Sequence, residues 1–186
     1  KFVLQHKSFF KMKIIKDIQK EVKKPCFFIE CEVKTPHLNY FIKGIDKGIE
    51  SEHNRNYKTN VKGKMTSWYW FAKDSNFIDI VQEGIDYLDE HGPSLPPYLL
   101  KEAWGIKTGF RDKTNRHSHG AAIISGVYYL NDNDQTLYFP ELKIEVEPKK
   151  NKLVMFSAFL DHYTNLNKQK TEKYAIAFNL FEQKDY

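Results

Sequence analysis

The stretch that decides the fold runs from Asn115 to Asn131 and reads NRHSHGAAIISGVYYLN. Its second half is rich in β-branched and aromatic residues, which predicts a β-strand. His117 and His119 stand two residues apart just before it, and on an extended backbone such residues point to the same side. A third histidine, His162, follows another apolar run. Two histidines from one segment and one from a distant segment are typical of a metal site in a β-barrel, because imidazole is a common metal ligand.

Length and composition indicate a single globular domain. The chain has 186 residues, of which 41% are hydrophobic and 15% aromatic, enough to bury a core. No apolar run reaches the roughly 18 residues that a membrane-spanning helix needs, so no membrane partner is expected. The net charge of +5 comes almost entirely from lysines interspersed with acidic residues. Nucleic-acid-binding proteins concentrate arginines and basic stripes instead, so nucleic acid is not indicated as a partner.

The two cysteines bear on the cellular compartment. Cys26 and Cys31 lie five residues apart in a predicted strand, so their side chains point to opposite faces and are not expected to form a disulfide. Unpaired cysteines in a sequence with no evident secretion signal favour a reducing compartment. We therefore expect a cytoplasmic protein.

The first 97 residues predict a mixture of helices and strands. Apolar residues recur at roughly helical spacing before Pro25, and proline ends helices. Asp74 is a suitable N-cap for the strongest helical pattern. In chain order, the predictions are a helix over 1–24, a strand over 26–33, a helix over 38–50, a polar loop over 51–64, a strand or a pocket cap over 65–71, a helix over 75–89 and a break over 92–97.

After residue 97 the helical periodicity stops, and short strand-like runs separated by polar turns replace it. This pattern is typical of a β-sandwich or barrel. We predict one α+β, mainly β domain over 1–186. Its 98–186 part forms a jelly roll, the double-stranded β-helix, and its 1–97 part is a layer of helices and strand in which the helices pack on one sheet. The expected strands are 99–108, 121–130, 135–139, 142–146, 152–157 and 173–181.

Several motifs of the C-terminal half occur in a characteristic order. They are His117-Ser118-His119, 125–130 (SGVYYL), 139–141 (FPE), 148–156 (PKKNKLVMF), His162 and 172–179 (EKYAIAFN), with 60–68 (NVKGKMTSW) as an upstream segment. In these motifs the chain resembles the Fe(II)/2-oxoglutarate-dependent oxygenases, in particular their small phage and marine bacterial members, and it is also similar to prolyl hydroxylases. The resemblance is firm over about 100–181 and thin before it.

The chain departs from the family pattern at two positions. Most members carry H-x-D with a distal histidine, and His119 stands here where that carboxylate is expected. Asn151 replaces a turn glycine, which the backbone tolerates because asparagine also enters the left-handed region.

The resemblance implies an enzyme, a dioxygenase that uses Fe(II), 2-oxoglutarate and dioxygen to hydroxylate a substrate, releasing carbon dioxide and succinate. Its metal ligands would be His117, His119 and His162. A metal held on one face keeps positions open for the 2-oxo acid and dioxygen. No catalytic residue beyond the metal ligands is expected.

The co-substrate's far carboxylate needs a cation inside the barrel. Lys173 opens an apolar strand and cannot stay charged in a barrel without an anion beside it. Tyr129 and Ser125 lie four residues apart on one strand face, so both hydroxyls are candidates for contacting the same carboxylate. Asp161 is a candidate to orient the ring of the adjacent distal histidine, and Asn179 to support the ligands from behind.

Two alternatives stay open. One is a non-catalytic jelly-roll protein of phage type, structural or binding, that retains the motif; conversion of 2-oxoglutarate to succinate separates it from the enzyme. The other is a halogenase-like variant, in which His119 and His162 alone bind the metal, Ala121 completes an H-x-A motif and a halide takes the place of the carboxylate. The substrate is not indicated, since substrate contacts come from variable loops. The phage-like resemblance extends the expected location to the cytoplasm of an infected bacterium.

Overall fold

The structure, a computed structural model, describes residues 12–21, 25–51 and 59–183. Over these residues no helix is long and apolar enough to cross a membrane. In the same ranges the helices and strands are β1 (Met12–Glu21), β2 (Pro25–Val33), α1 (Leu38–Ser51), β3 (Val61–Lys62), β4 (Lys64–Met65), α2 (Ser75–His91), β5 (Tyr98–Thr108), β6 (Lys113–Thr114), β7 (Ile124–Tyr129), β8 (Leu137–Phe139), β9 (Ile144–Val146), β10 (Lys152–Ser157), β11 (Tyr163–Thr164) and β12 (Lys173–Glu182).

One large antiparallel sheet organises the described part of the chain. Its strand order is β1-β2-β10-β7-β12-β5-β4, so strands from both ends of the sequence lie side by side. A three-stranded sheet, β11-β8-β9, and a short ribbon, β3-β6, complete the β-structure. Antiparallel sheets packed together in this way form the jelly roll, and the predicted fold class is confirmed.

The large sheet carries a hydrophobic core on each face. Successive residues of a strand point to opposite faces, so Leu153 and Met155 of β10 join one core while Val154 and Phe156 join the other. The apolar sides of α1 and α2 complete the first core, and the three-stranded sheet completes the second. The helices therefore pack on one face of the sheet, as predicted, and the other face is left to build a site.

Several local predictions are confirmed. Asp74 caps α2, where its carboxylate accepts a hydrogen bond from the backbone N–H of Phe77 at 3.1 Å. Asn151 has a φ of 67°, in the left-handed region that its place in the turn demands. Cys26 and Cys31 are buried, free of a disulfide and members of opposite cores.

The predicted helix over 1–24 is wrong where it can be compared, because residues 12–21 form strand β1. Residues 1–11 and 22–24 lie outside the described residues. β1 pairs with β2 from Met12 opposite Val33 to Glu21 opposite Pro25, with a bulge near Ile15. Its residues alternate between half-buried and exposed from Met12 to Gln19, so one face of this strand rests on the protein. The apolar spacing fits a helix or a strand, and the long-range pairing with β2 decides between them.

The segment before α2 also differs from its prediction. The loop predicted over 51–64 contains β3 and part of β4, although 52–58 lie outside the described residues. The strand predicted over 65–71 ends at Met65, and turns follow it. These turns place Trp68 against Trp104, with ring centroids 4.7 Å apart. Trp104 lines the cavity that also contains the histidines, so this segment packs against a residue of the cavity wall, while none of residues 65–71 lines the cavity itself.

A buried ion pair ties β2 to β10 within the large sheet. Nζ of Lys152 lies 2.6 Å from Oε1 of Glu30, and the two side chains are only 10% and 7% exposed. Lys152 also donates to the carbonyl of Glu147 at 2.7 Å. Buried charges are tolerated when they are paired and hydrogen-bonded, so each partner compensates the other.

We expect Glu30→Leu to lower the free energy of unfolding by about 3–5 kcal/mol, because it leaves the Lys152 ammonium buried without its partner. The double variant Glu30→Leu/Lys152→Met should recover most of that loss, since it removes both charges. Urea denaturation of the three proteins measures the effect. A single variant as stable as the parent would contradict the importance of this pair.

Candidate metal centre

A short backbone pairing brings two histidines together from distant parts of the sequence. The N–H of His117 donates to the carbonyl of His162 at 3.1 Å, and the N–H of His162 donates back to the carbonyl of His117 at 2.9 Å. Nearby, the N–H of His119 donates to the carbonyl of Ala158 at 2.8 Å. His117 and His119 lie before β7 and not on it. The three backbone hydrogen bonds hold the segment that carries these two histidines in place.

The three imidazoles converge. Ring centroids lie 4.9 Å apart for His117 and His119, 4.3 Å for His117 and His162, and 5.3 Å for His119 and His162. One nitrogen from each ring lies within 4.8 Å of those of the other two. The clustering predicted from the sequence is thus present, and neutral imidazoles at this spacing are suited to a transition metal.

Backbone carbonyls orient two of the rings. Nδ1 of His117 lies 2.8 Å from the carbonyl of Asn115, and Nδ1 of His162 lies 3.0 Å from the carbonyl of Leu160. A carbonyl only accepts, so each Nδ1 carries the hydrogen and each Nε2 keeps its lone pair. Both rings are therefore prepared to bind a metal through Nε2.

Asp161 does not orient His162, contrary to its predicted role. Its carboxylate instead binds the guanidinium of Arg116, at 2.9 Å from Nε and 2.8 Å from a terminal nitrogen. The reason is local. Leu160, two residues before the histidine, already presents its carbonyl to the ring, and Asp161 points towards the arginine that precedes His117.

Burial keeps the histidines neutral. Together with a smaller contribution from the neighbouring His117, it lowers the pKa of His162 to about 3 and the pKa of His119 to about 4. Burial also lowers the pKa of His117 below its ordinary value. Metal ligation needs the unprotonated ring, so the cluster is in the required form at neutral pH.

The histidines face a cavity between the sheets. It contains about 620 Å³ of empty space, a figure that includes open solvent at its mouth. Its walls are mostly apolar. Besides the three histidines it is lined by Val61, Trp104, Ile106, Thr114, Gly126, Val127, Tyr129, Leu137, Phe156, Thr164, Lys173, Ala175, Ala177 and Phe178.

Lys173 brings a positive charge to this cavity wall. It is 4% exposed, and no hydrogen-bond or ion-pair partner for its ammonium is found within 12–21, 25–51 and 59–183. Burial lowers its pKa to about 7, so holding the charge costs free energy. An anionic ligand in the cavity would remove that cost.

Tyr129 lines the same cavity from β7. Its ring is 2% exposed, and no described residue forms a hydrogen bond with its hydroxyl. Burial raises the pKa of this hydroxyl above its ordinary value, with a smaller contribution from Glu30, so it stays a neutral donor. Tyr129 and Lys173 thus offer two donors to one ligand.

Ser125 and Asn179 lie in a network beside His119. The Ser125 hydroxyl donates to Oδ1 of Asn179 at 2.7 Å, and Nδ2 of Asn179 donates to Glu102 at 2.7 Å and lies 3.5 Å from Nδ1 of His119. Asn179 therefore lies beside a ligand candidate, and its role in supporting the metal ligands stays a prediction. Ser125 is bound to Asn179, and its predicted contact with a co-substrate stays a prediction.

Sequence reasoning missed Glu102 and Trp104. Trp104 lies beside His119, with ring centroids 6.2 Å apart, and Glu102 binds Asn179 across the β5–β12 pairing. Alternation along the predicted strand 99–108 places both residues on one face together with Ile106, and that signal could have identified them.

The halogenase-like alternative fits the geometry less well. It needs Ala121 beside the metal in place of a carboxylate, but Ala121 is exposed in a turn and does not line the cavity. His117, which that variant leaves out, is part of the cluster. The cluster therefore favours an H-x-H motif formed by His117 and His119 over an H-x-A motif that begins at His119.

Comparison with solved structures relates the fold to known proteins. A viral collagen prolyl hydroxylase from Paramecium bursaria Chlorella virus-1, solved as a 2-oxoglutarate complex, is similar with a TM-score of 0.67 and 14% identity over 84% of this chain and 96% of that one. A prolyl-4-hydroxylase from Pseudomonas putida gives 0.60 and 14%, over 84% and 93%. HygX from Streptomyces hygroscopicus, solved with nickel, 2-oxoglutarate and hygromycin B bound, gives 0.58 and 11%, over 84% and 83%.

These similarities concern the fold. No protein-family model and no curated protein sequence matches the chain. At 14% identity or less, the shared architecture is that of the 2-oxoglutarate-dependent oxygenases, as the sequence resemblance predicted.

We expect the metal-free protein to lose stability as the pH falls from about 6.5 towards 4. Histidines of an unfolded chain titrate near pH 6.5, whereas burial holds the pKa of His119 at about 4 and that of His162 at about 3. The unfolded state therefore binds more protons in this window, which favours unfolding.

Urea midpoints measured between pH 7.5 and 4 test this, with His162→Gln as the comparison. The variant has no ring to protonate at this position, so its midpoint should fall less steeply than that of the parent. Equal slopes would mean that His162 titrates alike in both states.

Proposed function

We propose that this protein is an Fe(II)- and 2-oxoglutarate-dependent oxygenase that hydroxylates its substrate. The observation that carries the proposal is the pairing of two features in one cavity: three convergent neutral imidazoles and a buried ammonium without a partner among the described residues. The first feature suits a divalent metal, and the second suits a dianionic acid that also reaches the metal. The similar solved structures with 2-oxoglutarate support the same reading.

The donor set fits iron. His117, His162 and His119 would hold the metal, and three imidazoles on one side leave further positions free. Bound iron would supply the activation of dioxygen that side chains cannot provide. In the overall reaction, 2-oxoglutarate and dioxygen become succinate and carbon dioxide, and one oxygen atom enters a C–H bond of the substrate.

The chain's own residues bind and orient the co-substrate. The Lys173 ammonium would pair with the distal carboxylate of 2-oxoglutarate, and the Tyr129 hydroxyl would donate to it. Both groups are almost fully buried, so these interactions form in a medium of low polarity, where they are strong. The apolar walls, which include Phe156 and Val127, would keep bulk water from the reacting atoms.

A merely structural jelly roll gains nothing from this arrangement. Burying an ammonium without a partner costs free energy, and an uncharged residue at position 173 would be more stable in such a protein. The same holds for polar imidazoles placed around a cavity. A role in binding accounts for both features.

The direct experiment measures succinate formed from 2-oxoglutarate by purified protein with Fe(II) and dioxygen. Binding of 2-oxoglutarate is measured on the same samples, because it does not require the substrate. Succinate formation that requires iron, and that stops in His117→Ala, supports the proposal. Absence of both turnover and 2-oxoglutarate binding would contradict it.

Lys173→Ala should weaken 2-oxoglutarate binding by about 2–5 kcal/mol, because a buried carboxylate would lose its cationic partner. Lys173→Arg should cost less, since it keeps the charge. Lys101→Ala, at an exposed position on β5, should have no effect. Calorimetric titration with Ni(II) in place of iron gives the dissociation constants, and unchanged binding by Lys173→Ala would refute the assignment.

His117→Ala and His162→Ala should each abolish tight metal binding while the protein still unfolds cooperatively. Both cores are built from apolar contacts, and the two histidines pair through their backbones, which alanine retains. His91→Ala, on the exposed side of α2, is the matched control and should bind metal normally. Metal titration and thermal unfolding are measured on the same samples; loss of the cooperative transition would show that the histidines are structural.

A further inference from the structure

The three histidines are not prepared for a metal in the same way. His117 and His162 each donate from Nδ1 to a backbone carbonyl, which leaves Nε2 as a lone pair. Nδ1 of His119 has no such carbonyl among the described residues. Its neighbour is Nδ2 of Asn179, the donor end of an amide, at 3.5 Å.

The orientation of the Asn179 amide is fixed by Glu102, and Ser125 is compatible with it. Glu102 accepts at 2.7 Å from Nδ2 of Asn179, and a carboxylate has no hydrogen with which to do otherwise. Ser125 donates its hydroxyl to Oδ1 at 2.7 Å. The second hydrogen of Nδ2 is then directed towards His119.

This orientation decides where the His119 ring carries its hydrogen. A hydrogen on Nδ1 would set two N–H groups against each other, so Nδ1 keeps its lone pair and Nε2 carries the hydrogen. A nitrogen that carries a hydrogen cannot bind a metal. His119 in this state keeps its lone pair on Nδ1, the nitrogen beside Asn179, and Nε2 is blocked by its hydrogen.

We propose that Asn179 is a positioning residue that holds the ring hydrogen of His119 on Nε2, so that His119 becomes a metal ligand only when Asn179 turns. His117 and His162 then form the firm part of the site, and His119 is an exchangeable third ligand. The inference rests on the proposed function only for the identity of the site as a metal centre.

Ligation by His119 has a defined cost. Its hydrogen must move to Nδ1, and the amide must turn so that Oδ1 accepts it. Ser125 tolerates the turn, because a hydroxyl can accept as well as donate. Glu102 does not, because it loses its donor and faces the amide oxygen instead. The Glu102–Asn179 hydrogen bond is therefore what keeps the third ligand exchangeable.

The first test needs neither metal nor activity. Nitrogen-15 NMR of the metal-free protein at pH 7 distinguishes a ring nitrogen that bears hydrogen from one with a lone pair, and histidine variants assign the signals. We expect hydrogen on Nδ1 in His117 and His162 and on Nε2 in His119. Hydrogen on Nδ1 of His119 in the parent protein would overturn the proposal.

The second test exchanges the amide and the carboxylate. In Glu102→Gln/Asn179→Asp the net charge is unchanged. The hydrogen bond between the two positions is kept with its direction reversed, because the amide introduced at position 102 donates to the carboxylate introduced at position 179. That carboxylate can also accept from Nδ1 of His119. The His119 hydrogen should move to Nδ1 in the NMR spectrum. Ni(II) should bind about tenfold or more tightly, the size of effect known for partners of metal-bound histidines.

His119→Ala made in both backgrounds is the control. In the parent it should weaken Ni(II) binding less than His117→Ala does, and in the exchanged background it should abolish the whole gain. Tighter binding that survives His119→Ala, or no gain at all, would contradict the role of Asn179. If no background binds Ni(II), the proposed metal centre fails, while the NMR result still decides the position of the hydrogen.

Discussion

The site depends on one reciprocal backbone pairing. His117 and His162 exchange two hydrogen bonds, of 3.1 and 2.9 Å, between the segment before β7 and the segment before β11. These segments are far apart in sequence, and the jelly roll brings them together because β7 and β10 are neighbours in the large sheet. The pairing fixes both backbones, and the carbonyls of Asn115 and Leu160 then fix both rings. The positions of these two candidate ligands are thus set by hydrogen bonds of main-chain atoms.

The second constraint is electrostatic. A cluster of neutral imidazoles and an ammonium without a partner among the described residues share one apolar cavity, and neither is at its lowest free energy in a protein without ligands. A divalent cation would be bound by the imidazole cluster, and a dianion would pair with the ammonium. A dianion that also binds the cation is favoured over one that pairs with the ammonium alone. As a ligand, His119 would stand where most of the family that the chain resembles has a carboxylate, and the metal site would be one charge more positive. That difference would strengthen the attraction for the dianion and loosen the hold on the bare metal.

The sequence predicted what local patterns encode. Alternation and turn chemistry located the strands after residue 97, and Asp74 and Asn151 followed from capping and from the left-handed region. Prediction failed where the local structure or the position of a side chain depends on residues that are distant in sequence. Residues 12–21 form a strand because β2 pairs with them, and Glu102 reaches the site only through a contact that spans 77 positions of the sequence. The role given to Asp161 failed for the opposite reason, since adjacency in sequence did not reveal which way the side chain points.

The central claim is that metal and 2-oxo acid occupy the same cavity, between the histidine cluster and Lys173. A crystal structure grown with Ni(II) and 2-oxoglutarate tests it most directly. We expect nickel at about 2.0–2.2 Å from Nε2 of His117 and of His162, with the distal carboxylate of 2-oxoglutarate against the Lys173 ammonium. Nickel bound elsewhere, or 2-oxoglutarate bound without contact to Lys173, would contradict it.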